Sequence, residues 1–185
     1  MNGFREVALL LEQRARVLAR RIATDDDAGS RLSFLTFLLG QERYAIEADA
    51  LVEVARPGPI SPLPGTPPHV AGLTNFRGEI LPVFDLALLF GLPGSVHTLT
   101  ARLLVAGRER PEAGLLVDAV ERVVDLPAGS VQPMLQPPPP GLPAWALRGV
   151  TADAIIVLDV NALLDDDRLV AVGDEDARHQ PSGEE

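Results

Sequence analysis

Three landmarks occur twice along this chain in the same order, which constrains it to fold as two related units. Ala48-Asp49-Ala50-Leu51-Val52-Glu53-Val54 aligns with Val117-Asp118-Ala119-Val120-Glu121-Arg122-Val123. Gly72-Leu73-Thr74 is echoed by Gly149-Val150-Thr151. Val83-Phe84-Asp85-Leu86-Ala87-Leu88-Leu89 is echoed, one residue longer, by Val157-Leu158-Asp159-Val160-Asn161-Ala162-Leu163-Leu164. Asp and Gly positions match as well as apolar ones, which a chance likeness between apolar strands does not require. Each unit is about 65–70 residues, within the range of small domains.

The units read as β. Leu32–Leu39 is rich in Phe and Leu, breaks at Gly40-Gln41-Glu42-Arg43 as a hairpin does, and resumes at Tyr44-Ala45-Ile46. Further short apolar runs lie at 103–105, 115–117, 120–124 and 155–158, punctuated by Pro and Gly at 57–68, 91–94 and 137–141. Strands so short and so spaced suggest small barrels rather than a parallel α/β sheet. Short helices are predicted at Leu86–Phe90 and Val160–Leu164. Asp85 and Asp159, just before them, are placed to cap their N-termini; Asp49 and Asp118 read as turn or cap residues. Tyr44 and Trp145 are expected in the core.

The two copies differ in one loop. Thirteen residues separate Gly72 from Asp85, but ten separate Gly149 from Asp159. The extra residues lie around Asn75-Phe76-Arg77-Gly78-Glu79. An insertion in one of two matched lobes is a natural place for function. Gly78 after Arg77 permits a tight turn that presents the guanidinium.

Outside the repeat, residues 4–23 read as a helix. Phe4, Ala8, Leu11, Ala15, Leu18 and Ile22 line one face, and Arg16 and Arg20 lie opposite. A polar linker (24–30) leads to the body (31–168), divided into lobe one (31–98) and lobe two (99–168); residues 169–185 form an acidic tail. All 16 basic residues are Arg. Residues 1–23 hold five Arg and two Glu, a charge of +3; the remaining eleven Arg and 24 acids give −13. Such a body does not suit a nucleic-acid backbone and suits protein partners or basic surfaces.

Several chemistries are excluded or unsupported. With no Cys, disulfides, thiol nucleophiles and Cys-based metal sites are ruled out. His69, His97 and His179 have no ligand spacing, so no metal is expected. No Gly-x-Ser-x-Gly run or phosphate-binding loop occurs, and no cofactor or enzyme activity is expected. The acids at 165–167 read as a solvated helix end. No run of about 18 apolar residues occurs to span a membrane, and no signal peptide is seen, so a cytoplasmic setting is expected.

The run from Pro68 to Leu86, Pro-His-Val-Ala-Gly-Leu-Thr-Asn-Phe-Arg-Gly-Glu-Ile-Leu-Pro-Val-Phe-Asp-Leu, resembles the signature of the CheW-like domain of bacterial chemotaxis coupling proteins. Tyr44-Ala45-Ile46, Leu51-Val52-Glu53-Val54 and Gly114-Leu115-Leu116-Val117-Asp118-Ala119-Val120 fit its other segments. The resemblance covers residues 32–168. It implies a mainly β fold of two SH3-like five-stranded barrels around a shared apolar core, here with short helices and an added N-terminal amphipathic helix. It also implies a non-enzymatic adaptor that couples the cytoplasmic tips of chemoreceptors to the regulatory domain of a CheA-type histidine kinase.

Carried onto this chain, the resemblance matches Glu53 and Arg77 to two positions that pair near the receptor-binding surface. Two readings stand: an ordinary surface ion pair, or a half-buried pair that fixes a loop read by partners. Asn75 and Gly78 belong to that loop. Leu51 and Phe76 flank the pair, as interface or as core; Leu51 matches a position implicated in receptor contact. Residues 4–23 fold back on the body, contact a partner or a second copy, or lie on an anionic membrane surface. That N-terminus motivates an alternative role, a divergent member that caps, competes within or diverts a signalling array in a non-flagellar pathway.

Overall fold

The computed structural model describes residues 31–94, 99–134, 137–138, 141–166 and 169. The predicted helix at 4–23, the linker at 24–30, His97, His179, Asp167 and the tail beyond Leu169 lie outside the described residues.

Ten strands and two short helices follow one another as two copies of one order. The first copy holds β1 (Arg31–Leu39), β2 (Glu42–Glu47), β3 (Leu51–Ala55), β4 (Val70–Phe76), β5 (Glu79–Asp85) and α1 (Leu86–Leu89). The second holds β6 (Arg102–Ala106), β7 (Ala113–Val117), β8 (Ala119–Pro127), β9 (Leu147–Val150), β10 (Ile156–Leu158) and α2 (Val160–Leu164). They form two five-stranded sheets, in the orders β3-β6-β7-β5-β4 and β8-β1-β2-β10-β9. Among the described residues, only β5 with β7 and β10 with β2 pair in parallel.

The division of the body at residues 98 and 99 does not separate these sheets. Each sheet takes its central hairpin from one copy and its other three strands from the other. A repeat cannot reveal this exchange, because equivalent strands satisfy the same pattern with either hairpin. A single 3-10 turn at Ala48–Ala50 carries the chain from β2 in one sheet to β3 in the other. Below, the first lobe is the sheet containing β3, β4 and β5; the second lobe contains β8, β9 and β10.

The exchanged hairpins explain the apolar runs. Leu103 and Val105 face the interior of the first lobe with Leu81, Val83 and Leu116. Leu104 and Ala106, alternating with them, face a larger core between the lobes with Leu115, Val117, Phe37, Phe84 and Phe90. Phe34, Ala45 and Val157 fill the second lobe. A strand between two cores is apolar at every position; β7 is buried at all five of its residues. Burying one large apolar side chain contributes about 1.5–3 kcal/mol. Tyr44 lies in the shared core, stacked on Phe37. Burial, and then its hydrogen bond to the Glu42 carboxylate at 2.6 Å, holds its phenol well above the ordinary range.

The matched Gly and Asp residues do the same work twice. Gly72 and Gly149 stand where a neighbouring segment crosses the strand: Ser61 and Leu73 exchange backbone hydrogen bonds of 2.8 Å, and Gln132 and Val150 exchange bonds of 2.9 and 2.8 Å. A Cβ on Gly72 would lie 2.1 Å from the Ser61 carbonyl oxygen, and one on Gly149 would lie 2.4 Å from that of Gln132. Asp85 accepts the Leu88 N–H at 3.0 Å and Asp159 the Ala162 N–H at 2.9 Å, the two predicted helix caps. Asp118 accepts the Gly40 N–H at 2.6 Å and so ties down the β1–β2 turn.

Two expectations are corrected. Trp145 is 41% exposed, because the 3-10 turn at Ala144–Ala146 points Ala146 inward instead. Leu169, assigned to the tail, is buried in the shared core. Asp165 is largely exposed at the helix end, as expected, and pairs there with Arg108 at 2.7 Å.

Candidate protein-docking site

The β4–β5 hairpin closes in a two-residue turn. Phe76 and Glu79 are paired across it, and Arg77 and Gly78 take φ of +54° and +94°. Positive φ at both central residues suits the twist of a two-residue hairpin, usually with Asn or Gly at the first position. Arginine there carries a steric cost of roughly 1 kcal/mol. The Asn75 side-chain oxygen accepts the Gly78 N–H at 2.9 Å and holds the turn. The Arg77 guanidinium lies over the Phe76 ring, 5.4 Å from its centroid.

Arg77 also pairs with Glu53. Glu53 is on β3 and Arg77 follows β4, and these are the two outer strands of one sheet. The contact therefore crosses the seam where the first lobe curls toward closure. Four of the residues singled out, Asn75, Phe76, Arg77 and Gly78, form the hairpin tip, and Glu53 joins them across the seam.

The half-buried version of this pair does not hold. The Arg77 side chain is 72% exposed and that of Glu53 34% exposed. A pair so hydrated contributes about 0–1 kcal/mol. It orients a cation at the surface more than it stabilises the fold. Phe76 is half-buried against the first-lobe interior, with its ring also beneath the guanidinium, so core and surface readings both apply to it. Leu51 packs partly buried against the shared core.

The sequence reading passed over the exposed apolar residues around the seam. Val52 and Val54 flank Glu53 and are 45% and 39% exposed; Ile80, paired with Asn75, is 65% exposed. Period-two alternation in Val52-Glu53-Val54 would turn the valines inward and Glu53 outward, whereas the structure exposes the valines and half-buries Glu53. An exposed arginine stacked on an aromatic ring has the composition of the centre of a protein interface. Among the described residues no cluster of His, Asp or Glu could hold a metal ion.

Residues 33–168 match the CheW-like domain. The chain belongs to that family. Its relatives include the chemotaxis protein CheW of Helicobacter pylori, 29% identical over 109 residues, which are 59% of this chain and 66% of that protein. Protein FrzA of Myxococcus xanthus is 33% identical over 146 residues, 75% of this chain and 89% of that protein. The matches to the CheW proteins of Helicobacter pylori, Rhizobium meliloti and Klebsiella aerogenes span less than two thirds of those proteins' length. Among solved structures, the scaffolding protein TtCheW of Thermoanaerobacter tengcongensis superimposes with a TM-score of 0.62 at 28% identity, covering 71% of this chain and 86% of that one. The CheW-like fold, two five-stranded sheets with short helices, is the one the resemblance implied.

Proposed function

We propose that this CheW-like chain is a non-catalytic scaffolding adaptor, joining the cytoplasmic tip of a chemoreceptor to the regulatory domain of a CheA-type histidine kinase. The observation that carries the reading is the hairpin tip: Arg77 sits in a disfavoured backbone conformation, is 72% exposed, pairs with Glu53 and lies over the Phe76 ring. A stability role does not account for an arginine there; a surface read by another protein does. A cytoplasmic location goes with this role, and no described helix is long and apolar enough to cross a membrane.

The test is reconstitution. Purified chain is added to receptor cytoplasmic fragments and a CheA-type kinase, and phosphate transfer is followed. Stimulation above kinase and receptor alone is expected. Inhibition, or no effect together with no binding, overturns it.

A second reading makes the chain a member that caps or diverts an array in a non-flagellar pathway. Two observations favour it: thirty-two residues precede the matched segment, and the relatives include FrzA and the PilI protein of Pseudomonas aeruginosa, named apart from CheW. Binding with inhibition in the same assay supports this reading over the first.

A further inference from the structure

Two guanidiniums stand at one end of the first lobe. Arg56 directly follows β3 and Arg102 opens β6, next to Ala55 and Leu103, which pair across those antiparallel strands. Both arginines line a recess of about 410 Å³. Ile60, packed on the first-lobe interior, gives the recess an apolar wall, and Leu99, 99% exposed, gives it an apolar rim. Arg102 donates to the carbonyls of Leu99, Thr100 and Ala101 at 3.1, 3.1 and 2.8 Å, which fixes its guanidinium without neutralising it. Arg56 is exposed. Among the described residues neither forms an ion pair, whereas Arg43, Arg77, Arg108 and Arg148 each do. Like charges facing each other across a strand pair destabilise it, so the recess calls for an anion.

The chain carries a segment of the complementary charge. Asp174-Glu175-Asp176 is a run of three acids in residues 170–185, beyond the described body. The point from which that segment departs is fixed. Asp165 pairs with Arg108, which lies past the far end of β6 from Arg102, and the Leu169 N–H donates to the Asp166 carbonyl at 2.9 Å. The six residue steps from Arg108 back to Arg102 span about 20 Å of extended chain. The seven from Leu169 to Asp176 reach at most about 23 Å. The acids therefore reach the recess when the tail runs extended along the lobe. Tethering gives them an effective concentration on the order of mM, which favours them over a free acidic peptide or a small anion.

We propose that Asp174-Glu175-Asp176 docks across Arg56 and Arg102, laying the tail along the first lobe of its own chain. The contact is electrostatic and lies at the surface, so salt opens it. The recess is then accessible to an acidic segment of another protein only when the tail is released. Nothing in this inference depends on the adaptor role.

Backbone NMR relaxation on the full chain, with neither receptor nor kinase, reads the contact. Order parameters of Asp174, Glu175 and Asp176 are expected above about 0.6 in the wild type. They are expected to fall below that value in Arg56→Glu, and in a triple variant carrying Asp174→Asn, Glu175→Gln and Asp176→Asn. Salt at about 1 M, where the screening length is about 3 Å, is expected to release the tail likewise. Dilution is expected to change nothing, as an intramolecular contact requires. Unchanged amide shifts away from the recess show that each variant is folded. A wild-type tail below the threshold, as when the recess serves a small anion or another protein, overturns the proposal. So does a tail that stays ordered in either variant, as when it docks elsewhere, and one whose order falls on dilution, as when it docks on a second copy.

Discussion

The two β-hairpins that end the repeats, β4–β5 and β9–β10, begin and finish alike and differ between. Each starts at a glycine crossed closely by another segment, and each leads into an aspartate that caps a short helix. Between those points the first hairpin is longer and carries Arg77 in the turn, where the second carries Ala154. The retained positions build backbone; the altered ones face solvent. A duplicated fold thus separates what the architecture needs from what has been added to one copy.

The largest effect that sharpens this comparison belongs to the shared glycines. Gly72→Ala forces a Cβ against the Ser61 carbonyl at a φ of +136°. A loss of about 3 kcal/mol or more is expected in urea unfolding, with a comparable loss for Gly149→Ala. A tolerant Gly149→Ala would break the equivalence of the two crossings.

The caps come next. Asp85→Ala and Asp159→Ala each remove a side-chain acceptor from a helix N-terminus, at about 1 kcal/mol apiece. Asp85 is 5% exposed and its replacement should cost more of the two, read as the larger drop in unfolding midpoint.

The turn residues reverse the order of stability and function. Arg77→Gly relieves about 1 kcal/mol of steric cost at the positive φ, which the added freedom of glycine in the unfolded chain offsets, so stability is expected to change by less than about 0.5 kcal/mol while partner docking is lost. A destabilised glycine variant would return Arg77 to the architecture.

The smallest effect concerns pH in the second lobe. The hydrogen bond from Arg43 lowers the carboxyl of Glu121 below its ordinary value of 4.5. A carboxyl lowered on folding stabilises above its unfolded value, and that contribution fades as pH falls through the folded value. Glu121→Gln is therefore expected to lose a little stability at pH 7 and none at the acid limit, so the gap between its unfolding midpoint and that of wild type closes on acidification.

Much of this was legible in the residues. The hairpin at Gly40, the apolar runs, both helix caps and the projecting Arg77-Gly78 turn each rest on local chemistry, which sequence displays directly. What was hidden is non-local. Hairpin exchange leaves no trace in a repeat, because either pairing buries the same side chains. The exposure of Trp145 follows from the phase of one 3-10 turn. The Arg77–Glu53 contact joins two outer strands whose meeting depends on sheet order, so the pair was named only through the family resemblance, which does not say how wet it is.

The central claim is that Arg77 serves recognition and not the fold. The most direct measurement is the affinity of Arg77→Ala for the receptor fragment and for the kinase regulatory domain, with its urea unfolding midpoint taken alongside. The account predicts at least about tenfold weaker binding to one of the two, a change of about 1.4 kcal/mol, with the midpoint nearly unmoved. Unchanged affinity for both partners would contradict it.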